Sequence, residues 1–408
     1  MVIKLSELKN KKILILGFGE EGKDTLRFLK KLFSKKKIDI ADQKFDKNYL
    51  KVLRNYDVII KSPGIPFKIL PKASLSKIIT QTDIFFANCP GNIVGITGTK
   101  GKSTTASLCY AILKHAGKKV HLVGNIGKPV LNLLFSAKPD NTYVYELSSH
   151  QLYNLKRSPH IAVFLNVFHE HLDYYRNYQE YARAKANITL WQNKKDYLVF
   201  NKNDELVSKF AQKSKAKKIP ITGEYYDLDR NAARKIGKIF KIPKEKIEKT
   251  IKNFKPLEHR LENVGTFKGI TFYNDALSTI PETAIFAIAA LGNNVQTIML
   301  GGYDRGINFE KLAKKLLESK IKNLIFFPTT GEKIWQALGF ASLAQGKKLP
   351  KAFFVNNMKD AVKIAYRNTS KRKICLLSCA STSFSIFKDY KEKGNLFKKF
   401  VKLYGKKG

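Results

Sequence analysis

The stretch GITGTKGKSTTASL, residues 95–108, decides how the rest of the chain is read. The apolar run from Gly91 to Ile96 predicts a buried strand, and the spacing from Ser103 to His115 predicts a helix. Gly98 and Gly101 then fall in the turn between them. Backbone N–H groups in such a turn, the helix N-terminus behind it and one lysine make a cradle for polyphosphate. Lys102 would reach the terminal phosphates, Ser103 would offer its hydroxyl to Mg²⁺, and Thr99, Lys100 and Thr104 complete the loop. The longer GxxxxGK[ST] pattern fails because position 96 is Ile, so the match is the shorter GxxGKS. A match this short also arises by chance in a basic chain. Its place between strand and helix is what argues for phosphate.

Working outward, Thr142–Glu146, Ile161–Val167 and Tyr197–Asn201 read as further strands with helices between them, an α/β sheet. A Mg²⁺ ion wants oxygen ligands, and Glu146 stands at the tip of its strand in YVYELSSHQL. The next strand ends in NVFHEHLD, which offers His169, Glu170, His171 and Asp173. A histidine there is either a metal ligand or a neutral ring packed among tyrosines. Beyond it, YQEYARAKANI is helical in period and puts Lys185 on the face of Tyr178 and Tyr181. A lysine so placed ordinarily snorkels. Residues 231–254 are lysine-rich and helical, divided in two by Pro243.

The N-terminal segment, KKILILGFGEEGKDTLRFLKK, is a strand, a glycine turn and a helix, and Asp42 lies 20 residues after Gly22. That is the spacing of a dinucleotide fingerprint, so an NAD-dependent dehydrogenase has to be weighed. Glu20 and Glu21 oppose it, because they put two carboxylates where a pyrophosphate would sit. The alternative is a turn that merely closes strand against helix. The C-terminal segment alternates again through ITFYNDA, PETAIFAIAAL, VQTIMLGGYDRG, NLIFFPTTG and KICLLSCASTS. The expected organisation is α/β in three domains. Residues 1–90 form a Rossmann-like domain, 91–256 a central P-loop-type ATP-binding domain with a mainly parallel sheet, and 257–408 a second Rossmann-like domain.

At 408 residues, 44% hydrophobic and 26% charged, the chain is long enough for several cores and too apolar for disorder. No apolar run approaches the roughly 18 residues that cross a bilayer, so a cytoplasmic protein without membrane insertion is expected. A net charge of +42 invites a nucleic-acid reading. Its lysines are spread through every segment instead of clustering with arginine and aromatic residues, so no nucleic-acid partner is expected. The four cysteines, Cys89, Cys109, Cys375 and Cys379, read as reduced thiols.

Taken together, TGTKGKST, ELSSHQL, NVFHEHLD, YARAK, EHRLE, NDALSTIP, GGYDRG and LLSCASTSF occur in the order and at about the spacing seen in the Mur ligases, a resemblance that spans essentially the whole chain. It implies an ATP-dependent amide ligase of peptidoglycan synthesis, acting through an acyl phosphate. The nearest branch adds D-glutamate to UDP-N-acetylmuramoyl-L-alanine, and the expected form is a monomer. Lys102 resembles the phosphate-loop lysine, and Ser103 with Glu146 the first magnesium site. His171 resembles a ligand of a second magnesium, and Lys185 a lysine carbamylated by CO₂. Arg260 and Asp275 match positions that reach the nucleotide. Thr279, Arg305, Ser383, Phe384 and Tyr390 match the amino-acid pocket. The first-domain turn, with Gly19, Glu20, Glu21, Asp42, Gln43, Ser62 and Gly64, resembles the UDP site, and Asn125 lies by the sugar pyrophosphate.

Departures from the family pattern are Lys100 for Asn, Leu277 for Lys, Tyr226 and Asp229 for an asparagine pair, and Ser385 for Asp. They bear on the amino acid added, so a Mur-type ligase for another amino acid stays open. Outside the family, a metal-dependent amidohydrolase could use His169, His171 and a carbamylated Lys185. It would need a barrel of about eight strand–helix units and would leave GKST idle.

Overall fold

The computed structural model describes residues 4–126, 130–170, 174–255 and 257–406. The chain divides into two compact units, Met1–Phe254 and Lys255–Gly408. Among the described residues the first unit carries two sheets and the second carries one.

The first sheet is all parallel and contains β1 (Ile13–Leu16), β2 (Asp39–Ala41), β3 (Val58–Lys61) and β4 (Ile78–Ile79), in the order β2-β1-β3-β4. The helices α1 (Glu20–Leu32) and α2 (Gln81–Asn88) belong to the same segment. Thr80 caps α2 reciprocally with Asp83, which places the helix start by side-chain chemistry.

The second sheet is also all parallel. Its strands are β5 (Asn92–Thr97), β6 (Val120–Gly124), β7 (Thr142–Glu146), β8 (Ile161–Phe164), β9 (Tyr197–Asn201) and β10 (Lys217–Ile221), ordered β10-β9-β8-β5-β7-β6. Connecting or flanking helices are α3 (Lys102–His115), α4 (Ser149–Leu152), α5 (Tyr178–Leu190), α6 (Glu205–Lys213), α7 (Tyr225–Ile239) and α8 (Lys244–Asn253). Alternate strand residues face opposite sides. Val94, Ile96, Val144, Val163 and Val199 pack with Cys109 and Leu113 of α3 and Ile236 of α7. Ile93, Tyr143, Tyr145, Phe164 and Leu198 share the other core with Tyr181 and Ile188 of α5. A sheet covered on both faces has to present its ligand loops at the strand ends.

The second unit contains β11 (Glu262–Phe267), β12 (Ile270–Asn274), β13 (Val295–Gly301), β14 (Asn323–Phe327), β15 (Lys351–Phe354) and β16 (Ile374–Leu377), ordered β11-β12-β16-β13-β14-β15. Only the β11–β12 pair is antiparallel. Its helices are α9 (Pro281–Leu291), α10 (Glu310–Glu318), α11 (Thr330–Gln345), α12 (Met358–Asn368) and α13 (Tyr390–Lys406).

Some boundaries differ from the sequence reading. The helix after the phosphate loop begins at Lys102, one residue early. β8 stops at Phe164 and not at Val167, because after one last bond to β5 the amides leave the ladder. Leu165 N–H goes to Thr97 O, Val167 N–H to Asp204 Oδ2 and Phe168 N–H to Thr99 Oγ1. The lysine-rich helix already ends at Ile239, before Pro243, where Lys241 takes a left-handed φ of 55°. All four cysteines are free thiols, and burial raises their pKa, that of Cys89 to about 11. No helix of the described residues is long and apolar enough to cross a membrane.

Candidate active site

The strand order explains why distant segments meet. β5 lies between β7 and β8, with Ile96 opposite Glu146 and Thr97 opposite Phe164, and Gly124 at the end of β6 is also opposite Glu146. The carboxyl ends of four neighbouring strands therefore lie side by side, and the phosphate loop leaves from β5.

Three residues from outside the loop hold its shape. Asn166 accepts from Lys100 N–H at 2.8 Å and donates back to Lys100 O at 3.2 Å, while its own carbonyl takes Thr99 N–H at 2.9 Å. Thr99 Oγ1 lies 2.9 Å from Tyr181 OH. Gly101 has φ +84°, and a Cβ built there would come 2.4 Å from Asp229 Oδ1, which already accepts from Thr105 Oγ1 at 2.8 Å. Glycine is required at 101 on both counts.

Lys102 opens α3 and directs Nζ to Thr99 O at 2.9 Å. Lys185 does not snorkel. It is 2% exposed, and its Nζ donates to Gly98 O at 2.8 Å and sits over the Tyr181 ring. Burial, and then the positive charge of Lys102, hold its pKa well below that of an ordinary lysine. His169 is stacked on Tyr178 with centroids 3.7 Å apart. His171 lies outside the described residues.

Glu146 is 1% exposed. Its Oε1 accepts from Asn125 Nδ2 at 2.9 Å, and its Oε2 is buried with no hydrogen-bond partner. A buried carboxylate oxygen without a donor is a place for a cation. With the Ser103 hydroxyl at the start of α3, the donors are hard oxygens, which fit Mg²⁺. Among the described residues no group of three His, Cys, Asp or Glu side chains forms a metal cluster, so any cation here would draw its remaining ligands from other oxygens.

In the first sheet, Asp42 follows β2 and accepts from Phe18 N–H at 2.6 Å and Lys44 N–H at 2.9 Å. Burial alone would raise its pKa, but these two donors bring it below the usual value. The glycine turn thus spends an amide on a carboxylate. Glu20 is exposed at the start of α1, and Glu21 accepts from Gln151 Nε2 at 2.8 Å, with burial raising its pKa. Ser62 Oγ donates to Gly17 O, while Gly19, Gln43 and Gly64 are exposed around the turn. The sequence reading missed Lys61. It is 1% exposed, donates to Ser62 O and Ile65 O, and is pushed down by burial to about 7.

In the second unit, Asp275 follows β12 and is 3% exposed. It accepts from Ser378 Oγ at 2.9 Å and from Leu261 N–H at 3.1 Å, which ties the Arg260 segment to the strand end. Arg305 is exposed in the loop after β13, and Thr279 and Arg260 are half-buried. The loop after β16 is stitched to β13 and α11 by Gly301 N–H to Cys379 O, Tyr303 N–H to Thr382 O and Thr330 Oγ1 to Ser381 Oγ. Ser383 is 3% exposed with its Oγ unpartnered, Phe384 is 57% exposed, and Tyr390 sits edge-on to His259. Lys393, another residue the sequence reading passed over, is 1% exposed, and its ammonium lies against the Cys379 thiol.

Residues 96–268 match the Mur ligase middle domain. Over 97% of this chain and 97% of their own length, the UDP-N-acetylmuramoylalanine–D-glutamate ligases of Acetivibrio thermocellus and Clostridium acetobutylicum are 30% and 32% identical to it. The chain belongs to the Mur ligase family. Its members are ATP-dependent enzymes that form amide bonds. The MurF ligase of Thermotoga maritima in complex with ADP is similar to this Mur ligase in fold, at a TM-score of 0.63 and 15% identity over 98% of the chain and 97% of its own. The fold also matches UDP-N-acetylmuramate–alanine ligase of the same organism, at 0.59 and 16%, over 97% and 99%.

The barrel of an amidohydrolase is not what this Mur ligase builds. Membership of a family of amide-forming ligases likewise stands against the NAD-dependent dehydrogenase weighed for the glycine turn of its first sheet. Of the helpers that position the loop, Asn166 and Tyr181 stood inside quoted motifs. Nothing in the local sequence announces Lys61 or Lys393, since a buried lysine differs from the many exposed ones only in what packs around it.

Proposed function

We propose that this Mur ligase joins D-glutamate to UDP-N-acetylmuramoyl-L-alanine, with ATP giving ADP and phosphate, in the cytoplasmic assembly of peptidoglycan precursors. The observation that carries this reading is full-length similarity at 30% and 32% identity to ligases bearing that activity in their names. The loop of residues 98–104 holds the polyphosphate by backbone N–H groups, the α3 N-terminus and Lys102. The carboxylate of the UDP-linked substrate takes the γ-phosphoryl group, ADP leaves, and the amine of D-glutamate displaces phosphate from the acyl phosphate. Bound Mg²⁺, held by Ser103 and Glu146, with His171 at a second ion, would offset the negative charge brought together there.

Lys185 is proposed to carry a carbamate. Burial favours its neutral amine, the form that adds to CO₂ with loss of a proton. Gly19, Glu20, Glu21, Asp42, Gln43, Ser62, Gly64 and Asn125 are assigned to the UDP substrate. Arg260 and Asp275 are assigned to the nucleotide. Thr279, Arg305, Ser383, Phe384 and Tyr390 are assigned to the incoming amino acid, with Arg305 supplying the charge that a carboxylate requires.

The test is phosphate release from Mg²⁺-ATP with UDP-N-acetylmuramoyl-L-alanine and, one at a time, D-Glu, L-Glu, L-Ala, L-Lys and diaminopimelate. Release that needs D-Glu is expected. Release with another amino acid moves the protein within the family, and none with any of them overturns the assignment.

A further inference from the structure

Lys100 puts a second cation in the phosphate loop, where the family pattern has an asparagine. Its Nζ makes a 2.9 Å ion pair with Glu170 Oε1, and both side chains are largely withdrawn from water, at 11% and 14% exposure. The backbone at this position is held separately, by both hydrogen bonds to the Asn166 side chain. The loop therefore keeps its shape without the ion pair. Lys102 lies two residues further on with its Nζ on Thr99 O. The charges of Lys100, Lys102, Glu146 and Glu170 are all felt by buried Lys185, whose Nζ donates to Gly98 O in the same loop.

We propose that Lys100 is a second phosphate-binding cation of this site, kept in place by Glu170 until the terminal phosphate of a nucleoside triphosphate replaces that carboxylate as its partner. This rests on the ATP reading of the loop. A terminal phosphate carries more charge than one carboxylate and offers three acceptor oxygens, so it wins the exchange. A diphosphate has no group there to compete with Glu170. The pair thereby makes the loop selective for ATP over its own product, ADP.

The experiment is calorimetric titration of the full chain with Mg²⁺-ADP and with Mg²⁺ and adenylyl imidodiphosphate, a non-hydrolysable triphosphate. It compares the unaltered protein with Lys100→Asn, Lys100→Arg and Glu170→Gln. Lys100→Asn should weaken triphosphate binding about tenfold while changing ADP binding by less than about twofold, the scale of one charge-assisted hydrogen bond. Lys100→Arg should keep the preference, and Glu170→Gln should tighten triphosphate binding several-fold by removing the competitor. An equal loss for both nucleotides, or weaker triphosphate binding in Glu170→Gln, would make the pair a structural clamp and overturn the proposal. If Lys100→Asn does not fold, the Lys100→Arg and Glu170→Gln titrations decide. Amino-acid dependence of phosphate release does not enter the ratio, so the D-glutamate reading and this one fail separately.

Discussion

Two lysines show how much burial changes a residue that is ordinary elsewhere in this chain. Lys185 has lost its water and, among the described residues, gained Gly98 O and the Tyr181 ring, and burial followed by the charge of Lys102 favours the uncharged amine. If it becomes a carbamate, Lys185→Ala should stop phosphate release, and short carboxylic acids added to the assay should restore part of it. Release unchanged by the substitution would remove Lys185 from the site. Lys61 is held at about 7 in the folded chain, while an unfolded lysine keeps its proton to about 10.4. Between those values the unfolded state binds more protons, so stability rises with pH; below about 7 both states are charged and the dependence vanishes. The expected slope approaches about 1.4 kcal/mol per pH unit. Thermal melts from pH 7 to 9 should rise more steeply in the unaltered protein than in Lys61→Met, which keeps only the contribution of Lys185. Parallel curves would contradict the assignment.

At the scale of elements, the phosphate loop is a strand-to-helix turn whose geometry is enforced from both flanks. Asn166 and Phe168 hold it from beyond β8, and Asp229 of α7 crowds Gly101. Gly101→Ala would combine a left-handed φ with a Cβ 2.4 Å from Asp229 Oδ1. It should cost roughly 1–3 kcal/mol of stability, readable by urea unfolding, and weaken ADP binding; a variant that binds ADP normally would show the loop to be adaptable. The element was readable in advance because its parts are local: an apolar strand, two glycines, then GKST at a helix start. The end of β8 was not, because Val167 N–H is taken by Asp204, a residue 37 positions away that also caps α6. Likewise, the same side chain Gln151 that closes the capping box of α4 reaches Glu21 of α1.

At the scale of the whole molecule, charge and topology act separately. A net charge of +42 on one chain opposes compaction by self-repulsion, which salt screens over about 10 Å at 0.1 M. The melting temperature should therefore climb as NaCl is raised from about 0.05 to 0.5 M; a fall would mean that specific ion pairs outweigh the repulsion. Composition, the alternation of strand and helix, and motifs whose residues lie within a few positions of one another were determined by the sequence itself. They carried the α/β class, the phosphate loop and the Mur ligase resemblance, because hydrophobic period and glycine turns are short-range physics. Only tertiary structure decided which side chains lose water. The parallel order that sets β5 between β7 and β8 leaves Glu146 Oε2 without a donor, buries Lys185 beneath the loop and pairs Lys100 with Glu170. The charge state of a carboxylate or an amine is set by the groups packed around it, and those come from segments tens of residues apart.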